Sequence, residues 1–94
     1  MRVDKADKEW RAFHVWTSHM KKGSKTYSIL WDLFCSRGRP VSLALLAHVH
    51  CTTKGSVSRL ITQMARREQI VVRRSGGDKM RAYTLIEMGG MTWR

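Results

Sequence analysis

The sequence predicts an α+β domain in which helices come first and an antiparallel hairpin comes last. Three observations carry this. Apolar residues recur at helical spacing through the first two thirds of the chain, most clearly in "KGSVSRLITQM", where Val57, Leu60, Ile61 and Met64 share one face. After "REQ" the period changes to two β-rich runs, "IVVRRS" and "MRAYTLI", with "GGDK" between them as turn residues. At 94 residues with 43% hydrophobic content, the chain has material for one modest core.

Taken in order, residues 4–20 carry Trp10, Phe13, Thr17 and Met20 at spacing 3, 4 and 3, an amphipathic helix with Asp4 or Asp7 near its start. Gly23 stops it and Ser24 caps the next helix, about 25–36, with Tyr27, Leu30, Trp31 and Phe34 on one side. Gly38 and Pro40 end that helix. Val41 is then extended, Ser42 caps a third helix, "LALLAHVH", and Thr52 or Thr53 caps a fourth over about 54–67. The hairpin follows, and "EMGGMTWR" reads as a loose tail from which Trp93 could fold back. No repeat, low-complexity run or linker divides the chain. The expected organisation is an N-terminal helix in 1–23 as a dimerisation element, a main body in 24–88, and a tail in 89–94.

No apolar run approaches the ~18 residues a membrane span needs, and the charged "MRVDKADKEW" does not read as a secretory signal. Two cysteines, Cys35 and Cys51, are expected to be reduced thiols in a cytoplasmic protein. The charge is more informative: 18 cations against 7 anions, a net +11. From Lys54 to Arg81 eight cations face only Glu68 and Asp78. A folded domain carries such self-repulsion most readily when a polyanion relieves it, and nucleic acid is the common one.

Helices followed by a basic hairpin, with the last two helices a few residues apart, make a winged helix-turn-helix: three to four helices and a two-stranded β-hairpin wing. The fourth helix suits a recognition role because its outer face is small, with Gly55, Ser56, Ser58 and Thr62 around Arg59. Small groups let a helix backbone approach the major-groove floor, and a long cation among them reaches a base edge or phosphate.

From Val41 to about Gly89 the chain resembles the winged helix-turn-helix of MarR-type transcription regulators. The residues that carry this are "VSLALLA", "TTKGSVSRLITQM", "IVVRR" and "GGDKMRAYTLIEMGG". The resemblance implies a small DNA-binding transcription regulator. The chain departs from the family pattern in having Glu68 and Gln69 after the recognition helix, where a Gly is expected. It also has His50 and Cys51 for a usual Leu and Gly, and apolar Leu45 and Val49 at normally polar positions. The long terminal helices through which that family dimerises have no counterpart of equal length.

Other chemistries fit the residues less well. His48, His50 and Cys51 are good metal-ligand types, with Cys35 and His19 elsewhere, but paired C-x2-4-C or H-x3-5-H spacing is absent and no metal or other cofactor is expected. Cys51 beside a histidine lacks a third orienting group, and Asp32 and Glu87 have no acid–base partner in the sequence, so no enzyme is expected. "SGGDK" lacks the order of a phosphate-binding loop. Trp10, Trp16, Trp31 and Trp93 could stack on unpaired bases, but burial is the ordinary role, and Trp10 and Trp31 fall on apolar helix faces.

The expected function is therefore sequence-specific binding of double-stranded DNA by a nucleoid-associated homodimer, with no small-molecule effector. Thr53 and Lys54 would hold the backbone, and Ser56, Ser58, Arg59 and Thr62 would meet base edges or nearby phosphates. Arg73, Arg74, Lys79 and Arg81 would form the basic wing on flanking backbone or minor groove. The alternative is an RNA-binding or protein-interaction winged helix in a larger nucleoprotein assembly. Leu45 and Val49, at i and i+4 on the third helix, need a cover that the N-terminal helix of the same or a second chain could supply.

Overall fold

A computed structural model describes residues 5–67, 70–77 and 79–93, and among them four helices accompany a four-stranded antiparallel sheet. In chain order these are α1 (Lys5–Trp16), α2 (Lys25–Cys35), β1 (Val41–Ser42), α3 (Leu43–Val49), α4 (Lys54–Arg67), β2 (Ile70–Ser75), β3 (Ala82–Met88) and β4 (Met91–Thr92). Asp4, Glu68, Gln69 and Asp78, each given a place in the sequence reading, lie outside the described residues, as does the side chain of Asp7. None of the described helices is long and apolar enough to cross a membrane.

Short hydroxyls start three of the helices by accepting from amides that have no helical partner. Ser24 accepts from the Tyr27 amide, Ser42 from that of Leu45, and Thr53 from that of Ser56. The choice between Thr52 and Thr53 thus falls to Thr53. The Gly38 amide, at φ +77°, donates to the Leu85 carbonyl and fastens the end of α2 to β3. The α1 helix stops at Trp16 rather than near residue 20, and Thr17 turns its hydroxyl back onto the Phe13 carbonyl.

Strand β3 is the organiser of the sheet, pairing with β1, β2 and β4. It begins two residues later than "MRAYTLI" suggests, because Met80 and Arg81 belong to the connecting loop. The expected tail is also ordered as a strand. Gly89 and Gly90 both take positive φ, which a tight two-residue hairpin turn demands, and they return the chain along β3 as β4. The sheet is thus larger than the two-stranded hairpin expected from composition.

A single core joins the helices to the sheet. Phe13, Leu30, Leu33, Phe34, Val57, Met64, Leu85 and Met88 are fully or almost fully buried in one cluster. The N-terminal helix joins this core. The stripe of α1 closes against its own chain: Phe13 stacks on Phe34 at 4.4 Å between centroids, and Trp10 lies 4.7 Å from Trp31. An ion pair between Glu9 and Arg37 ties α1 to the end of α2, and the Trp93 indole donates to the same carboxylate at 3.3 Å. The described part of the N-terminal segment, residues 5–23, thus packs on the body of its own chain. All four tryptophans pack against the core, and Leu45 and Val49 are not covered by α1, being 54% and 55% exposed.

Candidate nucleic-acid interface

Burial of Val57, Ile61 and Met64 fixes the rotation of α4, so Lys54, Gly55, Ser58, Arg59, Thr62, Gln63 and Arg66 line the opposite side. With Leu43 from the start of α3 and Arg81 from the loop joining β2 to β3, they form an open groove of about 660 Å³. Lys54, Arg59, Arg66 and Arg81 supply four cations and the lining contains no acidic residue. The lining thus carries positive side chains without acidic ones, a form suited to a polyanion's backbone.

Small residues make the groove floor, and their hydroxyls are largely committed within the protein. Thr53 caps α4 and donates to the Ser56 hydroxyl at 3.0 Å. Thr62 donates to the Ser58 carbonyl at 2.9 Å. Ser58, read from sequence as an outward contact, shares a 2.9 Å hydrogen bond with the Tyr83 hydroxyl and braces α4 against β3. Each hydroxyl keeps lone pairs, but Thr53, Ser58 and Thr62 act first on their own chain.

Gly55 is different. A methyl group built there meets no atom of the protein within 4 Å, and its backbone is not left-handed. Glycine in the middle of a helix costs roughly 0.5–1 kcal/mol relative to alanine, and less in the first turn, where Gly55 lies. No contact within the protein calls for a glycine at position 55, and its backbone is open to the outside.

The four cations assigned to the wing do not act as one set. Tyr83 and Leu85 pack toward α4, and pairing of Arg74 with Tyr83 puts Arg74 on that same side of the sheet. There it joins Arg66 and Thr62 in a second hollow between α4 and the hairpin. Arg81 belongs to the main groove, and its carbonyl accepts from the Leu43 amide at 2.9 Å. Arg73, paired with Thr84, takes the opposite face, and Lys79 is exposed near the hairpin tip. The recognition-helix and wing residues thus merge into one basic surface around Arg59, Arg66, Arg74 and Arg81, with Arg73 apart from it.

Sequence reasoning missed a polar pair beside the turn into α4, as it missed Glu9 with Arg37. His50 Nε2 lies 2.6 Å from Asp32 Oδ2, joining the end of α3 to α2 just before the turn into α4. Eighteen residues separate the two, and no local pattern signals the contact. Cys51 follows at φ 51°, holding a left-handed turn position that glycine or asparagine would take with less strain. Partial burial pushes the Cys35 thiol above its ordinary value, the Asp32 carboxylate adds to this, and Arg37 opposes it. Such a thiol is a weak nucleophile at neutral pH. Among the described residues no group of three His, Cys, Asp or Glu side chains is arranged to hold a metal ion.

Comparison with protein-family models, with curated proteins and with solved structures found no match to this chain.

Proposed function

We propose that this protein is a winged helix-turn-helix that binds double-stranded DNA and regulates transcription, with α4 as recognition helix and the β2–β3 hairpin as wing. The observation that carries the reading is the α4 groove. Its floor is small, its walls are cationic, and the glycine in the first turn of its helix faces open space. In this mechanism the cations of the groove and hairpin displace counterions from phosphates and set the register. Arg59, exposed on the outward face of α4, then reaches a base edge, and Gly55 lets the helix backbone come near the groove floor. The Thr53 cap and the Ser58–Tyr83 bond support this by fixing the start and rotation of the helix. Binding, not bond-making, is the proposed work. The MarR-like motif order supports a regulator of that type, acting with the nucleoid.

Selection from random duplexes tests the reading. Enrichment of one motif, lost on Arg59→Ala, is the expected result. Recovery of unrelated sequences at equal affinity would count against it, and preference for structured RNA would favour a nucleoprotein-assembly role.

A further inference from the structure

Met80 is the most exposed large hydrophobic side chain among the described residues, at 79%, and it sits at the tip of the hairpin. Its backbone is braced. The Met80 amide donates to the Gly77 carbonyl at 3.1 Å, and the Met80 carbonyl lies where a side chain on Gly76 would have to go, 2.1 Å from the built methyl position. Gly76, at φ +80°, is therefore needed for the tip to close. One residue earlier is the exposed Lys79, and the exposed Arg73 and Arg74 lie along β2. A single apolar chain thus projects from the loop joining β2 to β3, with the exposed Lys79 beside it to meet a phosphate.

We propose that Met80 is a wedge that enters the minor groove beside the α4 contact and partly unstacks one base step, bending the duplex. The inference rests on the duplex-binding reading above and adds to it a deformation and a sequence preference. An unbranched thioether suits the task, since it adapts to an irregular gap without needing a polar partner. What its burial gains and what unstacking costs are of similar size. Insertion therefore favours steps that are already weakly stacked, TA and CA/TG, and specificity arises at a position where no hydrogen bond reads the base.

The test uses the full chain and a duplex of about 30 base pairs recovered by selection. It carries fluorophores at both ends, with 2-aminopurine placed in turn at steps flanking the α4 footprint. Wild type is expected to bend this duplex by about 20° or more and to brighten one 2-aminopurine position. Met80→Ala abolishes both signals while lowering affinity only about three- to tenfold, and Met80→Leu restores them. Bound but straight DNA, or a bend unchanged in Met80→Ala, overturns the wedge and leaves the duplex-binding reading standing if Arg59→Ala still weakens binding. Absence of any duplex binding overturns both.

Discussion

Replacing Gly55 with alanine separates what the fold needs from what a partner needs, because the two effects have opposite signs. The added methyl group meets open space within the protein. The unfolded chain loses backbone freedom and the helix gains a better former, so stability should rise by about 0.4–1 kcal/mol. For a domain of this size that corresponds to roughly 2–8 °C in Tm. Binding should fall. If the α4 backbone approaches a duplex closely at Gly55, an inserted methyl group overpacks that contact by about 1–3 kcal/mol, or roughly five- to 150-fold in Kd. Thermal unfolding followed by circular dichroism and titration of the selected duplex by fluorescence anisotropy read the two effects on one sample. A variant that is more stable and binds equally well would refute the argument, since the glycine would then have no external reason. A variant that loses stability would show that the start of α4 has been misread.

Three further outcomes follow from the packing and the groove. Phe13→Ala removes a fully buried ring stacked on Phe34 and should cost about 3–5 kcal/mol in urea unfolding; a loss below ~1 kcal/mol would mean that α1 is not part of this core. For the same reason, deleting residues 1–20 should give an unfolded chain rather than a folded monomer, as near-ultraviolet circular dichroism would report. Arg59→Ala should weaken the selected duplex by about 1–3 kcal/mol and relax choice at one or two base pairs, with unchanged Tm; competition among single-base variants measures it. Cys51→Gly relieves a left-handed position and should raise stability by up to ~1 kcal/mol, and a loss there would show that the thiol side chain makes contacts worth more than the strain.

Much of this architecture was legible because the signals are local. The Val57, Leu60, Ile61, Met64 stripe fixed α4 and its outward face, and Ser24, Ser42 and the Thr52–Thr53 pair marked helix starts. "IVVRRS" marked β2 from end to end. What escaped depends on partners distant in sequence. β1 and β4 are two residues each and exist because β3 offers them backbone groups, so no propensity announces them. Met80 is apolar and reads as the start of a strand, yet the closure at Gly76 keeps it in the loop. The split of Arg73 from Arg74 and Arg81 follows from strand parity, which is known only once pairing with β3 is known. The α1 stripe was clear, but its burial on α2 of the same chain requires the aromatic contacts between them. Asp32 and His50 meet across two helices, and no spacing rule reaches that far.

The central claim is that the α4 groove takes duplex DNA and reads its sequence. It is tested most directly by titrating one labelled selected duplex against unlabelled competitors, a scrambled duplex and a structured RNA, over a range of salt. The groove cations Lys54, Arg59 and Arg66, together with Arg74 beside them, predict a log–log slope of about −3.6, since each neutralised phosphate contributes about −0.9. Base reading by Arg59 and the close approach at Gly55 predict a preference of about a thousandfold or more for the selected duplex over both competitors. Equal affinity for all three, at whatever slope, would contradict the account and leave only a basic surface.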